Sequence, residues 1–524
     1  RLESTDPQAI ERLAFHYRHG DLSLPPVRDK ALHFLDAAGI RAKREYANET
    51  ALGYVERALA LSSSWARQTA KVDLLHILGR REDEQAALDR LDGLAGVPPL
   101  EVQLLWGQFH EAMSDYPAAL AAMEDAAASS RAAADSQGLI RVLGRTGLIH
   151  WRQGNYSESA AVYGQALALL TDSPDWAAEE GEIRYGLGIL HRQQGKFAEA
   201  QAELEAALAL AQRLENRPDE AKVLAALASV AEIHRSDYQT AQAYNSQALA
   251  IHRQIGDRAG EGSSLLALGQ SFSRLGQYTE ALAAFEEALS IQEALGSGWW
   301  EAVVWLEIGI IHMLVGEYAN AENAFRTSQA MFLEIGADAG AAYALVNLGQ
   351  TLRDIGKFEE ADEALKSGLA FAMRQNDRHL QAICHSDLAL LSLAYQSFPL
   401  VAADALAARD IFSEIGTPFS ATVDLATVSL AALAQNNSEL ALKYANAAFS
   451  LLNECGGEGP DFPHRDYWMC ARVFQFLGQQ RDAEVAQAAA CRLLQDKAAR
   501  ISDLRMRTSF LENVSFNREI WVTL

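Results

Sequence analysis

Apolar residues recur at spacings of three and four along nearly the whole chain. The stretch 265–291 (LLALGQSFSRLGQYTEALAAFEEALSI) shows the pattern most clearly. That spacing places apolar side chains on one face of a helix. Gly276 interrupts the pattern, and Tyr278 restarts it. The stretch therefore predicts two helices joined by a tight turn. Small residues at Gly269, Ala281 and Ala288 would let the two helices approach closely.

The unit repeats. The position of Tyr278 recurs as Tyr116, Tyr156, Phe197, Tyr238, Tyr318, Phe358 and Phe398, in steps of 40 or 41 residues. Nine residues before each aromatic sits a small residue: Gly107, Gly147, Gly188, Ser229, Gly269, Gly309, Gly349 and Ala389. Ten residues after it sits another, from Ala126 to Ala408. Three columns in phase at such a period predict a solenoid, in which each unit packs mainly on its neighbours. First helices are expected to begin near 28, 64, 99, 135, 177, 218, 259, 299, 339, 378, 419 and 461.

The unit resembles the tetratricopeptide repeat, residue by residue at Gly269, Gly276, Tyr278, Ala281, Phe285 and Ala288. The resemblance implies an all-α, right-handed superhelix of about twelve helical hairpins. Its usual period is 34 residues, so the extra length here must lie in the helices. Four segments are expected: a connecting helix and loop (1–27), short divergent hairpins (28–98), the regular array (99–454), and a degenerate terminal repeat with a cap (455–524). GLAGVPPL (93–100) and LNECGGEGPDFPHRD (452–466) read as the most open breaks.

Composition narrows the partners. The chain has 524 residues and a net charge of −24, which argues against a general nucleic-acid surface or an anionic membrane. The four cysteines have no metal-ligand spacing and read as reduced thiols of a cytoplasmic protein. No apolar run is long enough to span a bilayer.

Two further stretches carry a second resemblance. Leu13-Ala14-x-His16-Tyr17, then Ala31-Leu32-x-x-Leu35-x-x-Ala38-Gly39, then Tyr46-Ala47-Asn48-Glu49 resemble the start of the C-terminal sensor array in signal-transducing ATPases of the STAND class. These include maltotriose-activator-like regulators and cyclase-linked ATPases. MRTSFLENVSFNREIW (506–521) resembles the motif that closes such arrays and is expected to pack across the last hairpin. The chain has no GxxxxGK[ST] phosphate loop, so an NTPase is expected only upstream, in a longer protein.

In tetratricopeptide arrays, ligands are held by the first helices, at positions −3, +1, +4 and +5 from the small residue. Carried over, that row contains Trp151, Arg152, Tyr185, Arg192, His234, Gln270, Arg274, Gln350 and Arg353. Its arginines offer planar forks suited to carboxylate or phosphate. The competing reading is structural, because cations in the last turn of a helix are stabilised by its dipole by roughly 0.3–1 kcal/mol. Trp299 and Trp300 follow GSG and match no column, so an exposed binding pair and ordinary packing both remain open. His110, His150, His191 and His312 share one column and read as core residues rather than metal ligands. No HExxH and no recognisable Ser-His-Asp set is present, so neither an enzyme nor a cofactor is expected.

The resemblances imply a sensor array that binds a protein, peptide or small-molecule trigger and relays it to the upstream NTPase. The alternatives are a standing protein scaffold and a maltotriose-like small-molecule receptor.

Overall fold

The computed structural model describes residues 7–44, 47–94, 96, 98–113, 115–170, 176–235, 237–456 and 462–523. The described residues are all-α, with 27 α-helices and no strand. They form two compact units, 1–264 and 265–524. The first contains α1 (Pro7–Arg18), α2 (Pro25–Arg44), α3 (Asn48–Leu61), α4 (Trp65–Ile77), α5 (Arg81–Asp92), α6 (Pro99–Ala112), α7 (Tyr116–Ala132), α8 (Ser136–Arg152), α9 (Tyr156–Leu169), α10 (Ala177–Gln193), α11 (Phe197–Arg213), α12 (Arg217–Arg235), α13 (Tyr238–Ile255) and the start of α14 (Arg258–Arg274).

The second continues with α15 (Tyr278–Leu295), α16 (Gly298–Leu314), α17 (Tyr318–Glu334), α18 (Asp338–Asp354), α19 (Phe358–Gln375), α20 (Arg378–Ala394), α21 (Phe398–Glu414), α22 (Thr422–Ala434), α23 (Ser438–Glu454), α24 (Pro463–Phe476), α25 (Gln480–Arg500), α26 (Leu504–Glu512) and α27 (Ser515–Trp521). Helices α2 to α25 pair in order into twelve hairpins, the solenoid-type array that the period predicts. Their first helices begin within four residues of the expected positions. Tyr46 and parts of both expected breaks (95, 97 and 457–461) lie outside the described residues.

The columns acquire physical reasons. A Cβ added at Gly269 would lie 2.5 Å from the Phe285 ring, and one at Gly309 would lie 2.6 Å from Phe325. The same crowding by the second helix recurs at Gly147 against Tyr163 and at Gly188 against Leu204. The small column is therefore the hole for a knob sixteen residues downstream, itself almost fully buried. Gly276 has φ +76°, the left-handed conformation that ends a helix at little cost in glycine. At the matching place before α21, Gln396 takes φ +59° without that freedom.

The C-terminal segment does more than seal the last hairpin. Asn517 Oδ1 on α27 accepts from His464 Nε2 on α24 at 2.9 Å, and both residues are fully buried. The chain also straps back to the first turns of its own unit. Arg500 donates to the Leu275 carbonyl at 3.0 Å, and the Asp503 amide donates to Thr279 Oγ1 at 3.0 Å. Phe510 lies 6.3 Å from the Tyr278 ring, which is only 3% exposed. Asn513 donates to the Gly316 carbonyl at 3.4 Å.

The cysteines are free thiols, and burial pushes the Cys384 thiol up to about 12. No helix among the described residues is long and apolar enough to cross a membrane.

Candidate functional site

Most first helices pack one side on their own second helix, and within each unit several touch the next first helix, as α8 touches α10 and α22 touches α24. The polar residues on the remaining side form the row expected to meet a ligand. The two units arrange this row differently.

In unit 1 several arginines reach acceptors on neighbouring helices. Arg141 on α8 pairs with Glu101 on α6 at 2.7 Å, and Arg152 pairs with the buried Glu111 at 2.9 Å. Arg184 holds Glu180 at 2.7 Å and Glu203 at 2.8 Å. Arg192 on α10 donates to Ser229 Oγ on α12 at 2.6 Å. Trp151 is half-buried, packs into the cluster around Tyr163, and its indole N–H has no partner among the described residues. Tyr185 is half-buried beneath Lys222, whose Nζ lies 4.0 Å from the ring centroid, and burial raises its phenol pKa. Beside it lies a cavity of about 20 Å³, lined by Gly181, Leu210 and Asp219 among others. The His234 side chain lies outside the described residues.

In unit 2 the row is organised around carboxylates. Gln270 on α14 donates to Glu307 on α16 at 2.7 Å, with Arg274 close enough to act on the same carboxylate. Burial raises the Glu307 pKa, and Gln270 and Arg274 draw it back. The same bridge appears two repeats later, where Gln350 on α18 donates to Asp387 on α20 at 2.6 Å. Arg353 adds a bond of 2.5 Å to the other Asp387 oxygen and one of 2.9 Å to Asp354. Burial opposes the charge on Arg353, but Asp354 and Asp387 outweigh it and raise its pKa. Asp387 is 5% exposed, and burial raises its pKa despite Arg353.

Further along, α22 is buried on nearly every side. Asp424 is 1% exposed, and among the described residues neither of its oxygens has a hydrogen-bond partner. Burial raises its pKa well above the usual range. The neighbouring Ser386 hydroxyl and Arg465 offset this only in part, and Asp466 and Asp387 add to it. Asp466 is better served, accepting from Thr422 Oγ1 at 2.7 Å and from Arg465 Nε at 3.0 Å.

The row residues are thus joined pairwise, from one first helix to the next, rather than gathered into one pocket. Arg152, Arg192, Gln270, Gln350 and Arg353 each bridge in this way, a role that the helix-dipole argument does not contain. Their acceptors Glu111, Glu307 and Asp387 were not among the expected site residues. The signal was present: Glu307 and Asp387 both stand two residues before the small column. Trp299 and Trp300 stand elsewhere, in the first turn of α16, some thirteen residues and about 20 Å of helix from the position of the arginines.

The four column histidines are half-buried rather than core residues. Each stands in the last turn of its helix, where His312 meets Glu317 at 2.7 Å and His110 approaches Asp115 at 4.0 Å. No group of three or more potential ligands among the described residues could hold a metal.

Residues 100–172, 228–294 and 300–374 match a family model described as the tetratricopeptide repeat, and residues 183–219 match a second with the same description. No curated protein matches the chain. Among solved structures it is similar to a Rap protein complexed with Competence and Sporulation Factor, at 15% identity, covering 75% of this chain and 98% of that one, TM-score 0.48. It is similar to the apo form of the quorum sensor NprR from B. thuringiensis, at 13% identity, covering 74% and 97%, TM-score 0.49. It is also similar to a STAND protein with a tetratricopeptide repeat sensor from Pyrococcus horikoshii, at 14% identity, covering 71% of this chain and 54% of that one, TM-score 0.47. Likeness at this level is one of helical build. The matched segments, with their columns and their hairpins, are tetratricopeptide repeats.

Proposed function

We propose that this array is a recognition module, the sensor portion of a STAND-type signalling ATPase, and that it binds a protein or peptide trigger along the first-helix row. The observation that carries the reading is the chain of bridges between successive first helices. A trigger that bonds to Gln270, Arg274 or Arg192 competes with Glu307 or Ser229 for the same donors. Binding then changes the links between repeats, which gives the trigger different affinities for two arrangements of the array. Without such a difference no ligand shifts an equilibrium. The N-terminal resemblance at 13–49 supports placing an NTPase upstream.

A small-molecule receptor is less well supported, because the enclosed cavity beside Tyr185, at about 20 Å³, holds a water rather than a sugar, and the larger hollow of about 510 Å³ between Tyr318 and Arg518 is wide open to solvent. A standing scaffold is the second reading, favoured by the internally satisfied row of unit 2.

The test is capture of binding partners by the purified chain and by Arg192→Ala/Arg274→Ala. A partner held by the first and lost by the second, at nearly equal thermal midpoints, is the expected outcome. Equal capture by both removes the row from recognition. Reading the coding sequence upstream decides sensor against scaffold, since the sensor requires a phosphate loop there.

A further inference from the structure

Unit 2 carries an apolar patch that its own fold leaves uncovered. Trp299 and Trp300 are 48% and 38% exposed, although Trp is normally among the most buried side chains on average. The two indoles meet edge to face, with centroids 4.7 Å apart, and Trp299 backs onto the buried Phe332 at 6.4 Å. The pair is therefore held in place from beneath. Ile335, 45% exposed, extends the patch, because a Cβ at Gly298 would lie 3.7 Å from its Cγ2. Leu295, 48% exposed, stands at the end of α15 just before this turn. The patch lies where second helices hand over to first helices, the opposite end of α16 from the bridging row.

The sequence around it has one sign of charge. From residue 275 to residue 325 the sequence has eight glutamates and no lysine or arginine. Glu301 borders the indoles in sequence, and Glu334 and Asp338 flank Ile335 on the next turn. Among the described residues none of these three is paired with a cation.

An aromatic anchor with an acidic rim selects its occupant. Indoles supply large contact area at low entropic cost and dominate many protein interfaces. Unpaired carboxylates around them repel a second copy of this chain, whose net charge is also −24, and repel nucleic acid and anionic lipid. A helix with apolar residues at spacings of three and four, and lysines or arginines beside them, satisfies both features. We infer that the Trp299–Trp300 edge of unit 2 docks a basic amphipathic helix of a partner protein. This surface is separate from the first-helix row and adds a second contact to the proposed recognition function.

The experiment uses the whole chain and three fluorescein-labelled eighteen-residue helical peptides (about five turns each), with leucine on one face and lysine, serine or glutamate on the other, read by anisotropy. The expected order of affinity is lysine, then serine, then glutamate. Trp299→Ser/Trp300→Ser should weaken the lysine peptide by at least about tenfold, and Trp299→Phe/Trp300→Phe should retain most of the binding. Glu301→Lys/Asp338→Lys should also weaken it, with both indoles in place. Arg192→Ala/Arg274→Ala should leave it unchanged, which separates this surface from the row. The inference is overturned if no peptide binds, if the serine or glutamate peptide binds as well as the lysine one, or if the serine variant binds like the unaltered chain. It is equally overturned if sedimentation shows a dimer that the serine variant abolishes, because a second copy would then be the occupant.

Discussion

Unit 1 and unit 2 use one repeat template and solve the same electrostatic problem in opposite ways. In unit 1 the cation travels. Arg152 keeps 46% of its side chain in water while its fork reaches Glu111. In unit 2 the cation is sunk along with the carboxylate, as Arg353, 12% exposed, and Gln350 converge on Asp387. A half-exposed pair contributes little, because water screens it and the side chains lose freedom. A buried pair is costly to form and far costlier to break, because removing one partner strands the other. The two rows therefore look alike as lists of residues and differ in what they do. The first is a surface that can exchange partners, and the second is a seam that holds α18, α20, α22 and α24 in register.

The largest expected effect tests that contrast directly. Arg353→Ala should cost about 3–5 kcal/mol of stability by leaving Asp387 buried without its cation. Arg152→Ala should cost less, because Arg152 keeps 46% of its side chain in water, although it too leaves a buried carboxylate, Glu111, without its cation. Denaturant unfolding of each variant, read from the transition of the unit concerned, makes the comparison. Equal losses would mean that burial does not distinguish the two rows.

A smaller effect sharpens the account of the seam. Asp424 and Asp387 both have folded pKa values raised by burial. A carboxyl group of this kind binds its proton more tightly in the folded state than in the unfolded one. Its contribution to stability is full below the ordinary carboxylate range and is lost as pH rises through the raised folded value. Asp424→Asn removes the titrating group and keeps its size. It should raise stability at neutral pH, by about 1–3 kcal/mol, and flatten the fall in stability above the ordinary carboxylate range. A variant with the same pH profile as the parent would show that Asp424 carries its charge without penalty.

The smallest effect concerns the backbone. Gln396→Gly should stabilise its turn by about 0.5–1 kcal/mol, since the residue already adopts the left-handed conformation. Urea midpoints resolve that difference, and a loss of stability would mean that the Gln396 side chain contributes more than its backbone strain costs.

The hairpins, their number and their turns were legible in the sequence because they rest on short-range relations. A helix needs only its own periodicity, and the hole at Gly269 and the knob at Phe285 lie sixteen residues apart in one hairpin. The proposed recognition site was legible only as a row of positions. Gln270 and Gln350 belong to it, yet their partners lie 37 residues away, on the neighbouring repeat. No pattern within one repeat names those partners. They follow from the register between successive first helices, which packing sets. The C-terminal strap is further still from sequence, since Asp503 meets Thr279 across 224 residues. That contact depends on how the small rotations of many hairpins accumulate.

The sequence by itself determined the repeat, the helical hairpin and the residue types on each face, because those follow from local periodicity and steric fit. The tertiary structure alone decided which charges are buried, which are bridged and which indoles stay in water. Burial is a property of neighbours brought together from distant parts of the chain, and it sets whether a carboxylate such as Asp424 is a solvated surface group or a strained core one.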